Sequence, residues 1–350
     1  MSVNNTHTTI RVLMTGAGAP GAAGILKCLR TDPKIEVVTA DANPESAGHY
    51  LSQDFVLIPK ADDPSFIDRV IAVCREKNIH VVLPLVTREL MHFATHINAF
   101  EMAGTRISIT PPASLEIAVN KSRLYEFLQW RGIEVPDFRI VETVDQFILA
   151  LEKLGYPDNP VCFKPSLSNG SRGFRVLSES IDEADLLFNH KPAHTWIKKA
   201  DAIRLLSLAP FPELLISEYL PGPEYSVDCL CNNGEARLLL PRLRKKMING
   251  ISVEGEFVKE EEIIAYCTRI IGELKLHGNI GIQVKQAANG QYQLLEINPR
   301  VQGTISAGLG AGINLPLLAI KQVLDMPIRP EDMEVKWGVK FTRYWEEVFH

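Results

Sequence analysis

The sequence predicts a doubly wound, mostly parallel α/β domain followed by an α+β region, and three observations carry that prediction. Apolar strand-like runs alternate with amphipathic helical stretches up to Pro111-Pro112, the pattern of a parallel sheet covered on both faces. The two prolines interrupt the rhythm and mark a domain boundary. Beyond them the strands come in pairs closed by turn residues, and Asn289-Gly290 is the strongest local hairpin signal.

Taken in order, IRVLMTG reads as a buried strand, Gly16 to Gly21 as a tight turn, and the stretch through Leu29 as a helix. IEVVTA is a second strand, with Asp41 at its tip. A strand, a glycine turn, a helix and an acidic residue after the next strand match the outline of a dinucleotide-binding unit. Gly16, Gly18, Gly21 and Asp41 would carry a nicotinamide-dependent oxidoreductase, which is the competing functional reading. A helix near Phe66 to Lys77, the strand VVLPLV, a helix from Glu89 to Ala103 and the short strand RISIT complete the first domain. In such sheets ligands lie outside the carboxyl ends of the strands. Asp41, Thr87, Arg88 and Glu89 all follow strand ends, where capping is the ordinary role for polar residues.

Composition narrows the function classes. The chain has 350 residues, 46% of them hydrophobic and 23% charged, with a net charge of -5 and a pI near 6.0. That is room for two or three domains. The mild acidity argues against a nucleic-acid partner. The opening residues are polar and no run approaches a membrane span, so neither a signal peptide nor a membrane association is expected. Six scattered cysteines without a C-x-x-C pair suit reduced thiols in a cytoplasmic protein.

Past the prolines comes a helical stretch holding Asn120-Lys121, then RGIEVPDFRIV, a turn into a short strand. VCFKPSLSNGSRGFRVL follows as a strand ending at Lys164-Pro165, a small-residue loop (Ser168, Asn169, Gly170, Ser171, Arg172, Gly173) and a returning strand. A lysine beneath such a loop neutralises phosphate while backbone N–H groups bond it. The spacing of a Walker P-loop is absent, and a plain hairpin accounts for the segment equally well. LLISEYLPGPEYSVD places Glu218, Tyr219 and Leu220 at a strand end and Glu224 after a Pro-Gly-Pro turn. Backbone groups at Tyr219 and Leu220 suit an adenine edge, and Glu224 suits ribose hydroxyls. A basic run from Arg242 to Lys246 comes next.

The final hairpin is the most informative. Asn289-Gly290 as a two-residue loop sets Gln283 opposite Glu296, and strand alternation puts Asn298 on the face of Glu296, with Arg300 just past it. One carboxylate and two amide oxygens, without sulfur or imidazole, suit Mg²⁺, which takes few protein ligands and shares substrate phosphates.

In order and approximate spacing, Asn120-Lys121, FKP with its Ser/Gly loop, SEYLPGPEYSVD and LLEINPR resemble the ATP-grasp superfamily, in particular its carbamoyl-phosphate-synthase-like branch. The resemblance covers nearly the whole chain. It implies a Rossmann-like pre-ATP-grasp domain over 1–112, a lid subdomain over 113–205 and a nucleotide- and metal-binding subdomain over 206–350. It implies ATP with Mg²⁺ or Mn²⁺ as cofactors. Lys121 and Lys164 would grip the α and β phosphates beneath the loop from Ser168 to Gly173. Glu218, Tyr219 and Leu220 would face adenine, and Glu224 the ribose. Gln283, Glu296 and Asn298 would hold the metal, with Arg300, Lys164 and Glu296 as the catalytic set. Many members carry an acid where this chain has Gln283, so the number of metal ions stays open. The implied reaction is an ADP-forming carboxylate-amine ligation, in which a small carboxylate is activated as an acylphosphate. Thr87, Glu89, Arg242 and Arg244 are the candidates for substrate contacts. A non-catalytic ATP-binding module would be expected to lose a phosphate lysine or the metal carboxylate, and both are present. A homodimer is the default assembly.

Overall fold

The computed structural model describes residues 9–168, 172–190, 195–248 and 250–350. The chain starts with β1 (Ile10–Thr15), α1 (Ala22–Leu29), β2 (Ile35–Asp41), α2 (Ala47–Leu51), β3 (Asp54–Leu57), α3 (Phe66–Glu76), β4 (Val81–Pro84), α4 (Thr87–Thr95), α5 (Ile97–Met102) and β5 (Arg106–Ile107). Their sheet has the order β3-β2-β1-β4-β5 with every pair parallel. Alternation on β1 sends Val12 and Met14 to one face and Leu13 to the other, and all three are fully buried. The order reverses between β1 and β4, which makes the ends of these two strands the switch point. The single helix expected from Glu89 to Ala103 is two, broken at His96.

The second stretch runs α6 (Pro112–Val119), α7 (Lys121–Trp130), β6 (Phe138–Val141), α8 (Val144–Lys153), β7 (Val161–Pro165), β8 (Arg175–Leu177), α9 (Glu183–Asn189), β9 (Trp196–Ile197), α10 (Lys199–Leu206) and β10 (Leu214–Glu218). Asn120 separates α6 from α7 because its side chain caps the latter, accepting the Arg123 N–H at 3.1 Å. The sheet order is β6-β10-β7-β8-β9.

The third stretch holds β11 (Glu224–Asn232), β12 (Glu235–Ile248), β13 (Ile251–Phe257), α11 (Glu261–Leu274), β14 (Gly278–Gln286), β15 (Tyr292–Asn298), α12 (Leu315–Val323) and β16 (Lys340–Thr342). Their sheet has the order β15-β14-β11-β12-β13-β16. The edge strand expected in the tail from Val335 to Tyr344 is β16, reduced to three residues.

These elements gather into two compact units that do not follow the expected breaks at 112 and 205. The first comprises 1–118, 225–283 and 297–350, and the second 119–224 and 284–296. The physical reasons are local. Val12, Met14 and the buried side of α1 share one apolar cluster with Leu230, Leu240, Phe257 and α12, so the N-terminal sheet has no separate core on that face. Strand β10 lies between β6 and β7, which ties 214–218 to the second unit.

Candidate functional site

In the second unit, the strand β15 is pinned beside Glu296. Lys164, on β7, donates from Nζ to the Leu295 carbonyl at 2.7 Å, and Tyr125, on α7, donates its hydroxyl to the Leu294 carbonyl at 2.6 Å. The Lys164 ammonium also lies 5.3 Å from the centre of the Tyr125 ring, a cation–π distance. Lys121 opens α7 and donates from Nζ to Ser168 O at 2.8 Å and Ser168 Oγ at 3.3 Å, while its Nζ stands 3.8 Å from Glu296 Oε2. Lys121 and Lys164 are thus both buried beside one carboxylate. Burial pushes both lysines below the usual ammonium range, and Glu296 opposes the shift in each. Two desolvated cations held near each other are prepared for an anion.

The loop expected to fold over phosphates begins at Ser168 and ends at Arg172 and Gly173; Asn169, Gly170 and Ser171 lie outside the described residues. Gly173 has φ +77°, and an added Cβ would meet Pro165 Cδ at 2.6 Å, so the return of the loop requires glycine. At the other end of the unit, Glu218 accepts the Asp137 N–H at 3.1 Å through Oε1, and the Tyr219 N–H is donated to Pro160 O at 3.0 Å. Of the backbone groups at Tyr219 and Leu220, the Tyr219 N–H is thus used to join the strand end to the chain before β7. The Tyr219 ring instead takes the Lys285 ammonium at 4.4 Å and stands 5.8 Å from the Trp196 ring. Leu220 is buried beside it, and Glu224 opens β11 close enough to act on the Lys164 charge.

The hairpin closes differently from the expectation. Gly290 N–H donates to Ala287 O at 3.0 Å and Ala287 N–H to Gln291 O at 2.8 Å. Gly290 has φ +87° while Asn289 keeps a negative φ. This is a three-residue loop with glycine in the left-handed position, not a two-residue type I′ turn. The loop is one residue longer than expected. Glu296 and Asn298 keep their common side by alternation along β15. Among the described residues no group of three or more His, Cys, Asp or Glu forms a metal-binding cluster. One carboxylate and an amide oxygen still fit Mg²⁺, which takes few protein ligands.

In the first unit, the expected substrate residues separate into four settings. Arg300 donates from Nε to Thr87 Oγ1 at 3.0 Å, at the start of α4. Glu89, one turn into α4, is buried and accepts the Thr15 hydroxyl at 2.6 Å at the switch point. Burial, with a smaller push from Asp41, raises the Glu89 carboxyl to about 7 against the pull of the Thr15 bond. Arg242 is also buried, paired with Asp228 on β11 at 3.2 Å. Arg244 turns away to Ser252 Oγ at 3.1 Å and to the Gly250 carbonyl. Thr15, Tyr125, Asp228 and Lys285 were not singled out by the sequence reading. The spacing of Tyr125 four residues after Lys121 on one helix face was the available signal for one of them.

The glycine turn after β1 is filled by protein. A Cβ on Gly21 would meet Gly303 Cα at 2.5 Å, and one on Gly24 would meet Ser306 Oγ at 2.3 Å. Asp41 accepts the Gly18 N–H at 2.7 Å through one oxygen and the Asn43 N–H at 2.8 Å through the other. The helix end that would hold a pyrophosphate and the acid that would hold a ribose are both engaged within the chain.

Two family models match in succession. Residues 12–108 match the PylC-like N-terminal domain, and residues 210–345 match the ATP-grasp in the biosynthetic pathway with Ter operon. Residues 210–345 are thus similar to an ATP-grasp family and residues 12–108 to a PylC-like one. The chain is 22% identical over 334 residues to the carbamoyl phosphate synthase large chain of Methanothermobacter thermautotrophicus. That match takes in 91% of this chain and 29% of the relative, so the chain spans under a third of the relative's length. Among solved structures, the ADP complex of N5-carboxyaminoimidazole ribonucleotide synthetase superposes with a TM-score of 0.69 at 17% identity, covering 93% of this chain and 80% of that one. The L-amino acid ligase of Bacillus licheniformis gives 0.64 at 17% identity, covering 93% and 77%. Both share the ATP-grasp fold with this chain. No helix among the described residues is long and apolar enough to cross a membrane.

Proposed function

We propose that the protein is an ADP-forming carboxylate-amine ligase whose second unit grips ATP. The observation that carries this reading is the convergence of Lys121, Lys164 and Glu296, two buried lysines and a partly exposed carboxylate brought together from α7, β7 and β15. Lys121 and Lys164 neutralise phosphate oxygens, the loop from Ser168 to Gly173 covers them, Leu220 lies against the base and Glu224 takes the ribose. Glu296 and Asn298, with Gln283 as a further donor, would hold Mg²⁺, which would supply charge neutralisation for the phosphates.

A carboxylate oxygen attacks the γ phosphorus and ADP leaves. The resulting acylphosphate is attacked at carbon by an amine, which forms the C–N bond and expels phosphate. Positioning and charge dominate such a transfer, and Arg300, held by Thr87, supplies a fixed cation for the moving phosphoryl group. Small-molecule substrates, a cytoplasmic location and a homodimeric assembly go with this reading. The ADP- and amino-acid-related names of the fold neighbours support it, as does the occupation of the glycine turn by Gly303, which disfavours a nicotinamide enzyme.

ADP release measured across a matrix of small carboxylates and amines tests the proposal, with hydroxylamine added to trap acylphosphate as hydroxamate. A carboxylate that gives both ADP and hydroxamate is the expected result. ADP release indifferent to every carboxylate refutes it.

A further inference from the structure

Asp228 and Arg242 are diagonal neighbours on the antiparallel pair β11–β12, where Ser226 faces Arg242 and Asp228 faces Leu240. Their side chains therefore leave the same face of the sheet. Each side chain is 1% exposed. Arg242 Nε at 3.3 Å and Nη2 at 3.2 Å both donate to the same oxygen, Asp228 Oδ2. Asp228 Oδ1 and Arg242 Nη1 are buried without a hydrogen-bond partner among the described residues. A buried pair kept for structure meets as a two-pronged fork near 2.8 Å, with its other protons and lone pairs satisfied. This pair does neither.

The surroundings add positive charge. Arg244, on the same strand, and Arg343 are each close enough to act on the Arg242 charge. Arg343 reaches Thr304 Oγ1 at 3.4 Å and Pro20 O at 3.3 Å. The Phe341 ring lies 5.5 Å from the Arg242 guanidinium. Phe341 is paired with Gly255, where a Cβ would meet the ring at 2.6 Å, so glycine is what lets the ring lie over the pair. Its strand, β16, is a three-residue edge.

We propose that Asp228 and Arg242 form a seat for the head group of an α-amino acid, Arg242 Nη1 taking the carboxylate and Asp228 Oδ1 the ammonium, with the Phe341 ring as its cover. An unpartnered donor and an unpartnered acceptor carried by one ion pair are complementary to a zwitterion. A simple acid would leave Oδ1 unpaired and a simple amine would leave Nη1 unpaired, and buried groups left unpaired are what make such a site selective. The excess of arginines sets the carboxylate end. The seat names the substrate class of the proposed ligase and rests on that reading.

Thermal-shift and calorimetric titration of the full chain, with and without MgATP, test it using the proteinogenic L-amino acids, their D-enantiomers, and the decarboxylated amine and deaminated acid of each hit. At least one amino acid is expected to bind, with both analogues weaker by about 100-fold or more. Asp228→Asn and Arg242→Lys weaken that amino acid at least about tenfold, while Phe341→Ala, which leaves the polar pair intact, speeds its association. If the two pair variants fail to fold, the analogue series on the native protein and the Phe341→Ala rate decide. Equal binding of the analogues, or no amino acid bound by either the native protein or Phe341→Ala, overturns the seat. An amino acid that binds but releases no ADP with any partner upholds the seat and removes the ligase. Ligation confined to acids without an amino group removes the seat and upholds the ligase.

Discussion

Arg300 and Thr87, 213 residues apart in sequence, meet at 3.0 Å through Nε and Oγ1. The contact joins the residue that closes the LLEINPR motif to the first residue of α4, two positions before Glu89. In the proposed ligase Arg300 would act on the transferring phosphoryl group, and this hydroxyl would hold it in place. Thr87→Val removes a hydrogen bond to a charged group, worth about 1.5 kcal/mol or more, and should lower ADP release about tenfold with little change in melting temperature. Arg300→Lys keeps the charge and loses the planar fork, and should cost about 100-fold or more. Equal turnover in Thr87→Val and the native protein would show that the contact does not position Arg300.

Lys164 gives a sign test that separates binding from folding. Its ammonium is buried and pushed below its usual range, chiefly by desolvation. Lys164→Met keeps the volume and removes that burden, so the free protein should melt at the same temperature or higher. The stabilisation by MgATP should disappear, since a ligand stabilises only the state it binds. In the native protein, differential scanning should show stabilisation by MgATP and none by NADPH; stabilisation by NADPH alone would restore the dinucleotide reading.

Glycines in the second unit predict unequal losses. Gly222 N–H donates to Gln286 O at 3.0 Å, and a Cβ there would meet Gln286 Cβ at 2.7 Å and its carbonyl at 2.8 Å. Gly290 has φ +87° but open space around its Cα. Gly222→Ala should destabilise by about 1–3 kcal/mol through overpacking, and Gly290→Ala by about 1 kcal/mol through backbone strain. Denaturant midpoints measure both, and a larger loss at Gly290 would contradict the placement of the 222–286 contact.

Glu89 sets a pH dependence. Its carboxyl is raised from 4.5 to about 7 by burial, so the folded state binds a proton that the unfolded chain releases. The stability this supplies is complete below about 4.5 and is lost as pH rises through about 7, a span worth about 3 kcal/mol at most. Glu89→Gln mimics the neutral form. It should melt close to the native protein near pH 5 and above it at pH 8; parallel curves across that range would refute the assignment.

Much of this was legible because the signals were local. Strand alternation on β1, the Pro111-Pro112 break and the Asn120 cap are written in neighbouring residues. Lys121, Lys164 and Glu296 were found by type and order, and the fold brings them together. The turn was taken one residue too short because two-residue and three-residue loops share the Asn-Gly signature, and the hydrogen bond from Ala287 to Gln291 separates them. Arg242 stood in a basic run as a candidate substrate contact; its burial depends on Asp228 across the sheet and on Phe341 about a hundred residues later, which no local pattern reports. Gly21 suggested a phosphate turn and instead, with Gly24, admits the 303–306 segment.

The transfer of oxygen tests the central claim most directly. With an active carboxylate labelled by ¹⁸O in both carboxyl oxygens, mass spectrometry of the released phosphate should find one ¹⁸O per ADP formed, because the acylphosphate oxygen leaves with phosphorus. Phosphate free of label, with ADP and the ligated product formed in equal amounts, would contradict activation of the carboxylate by ATP.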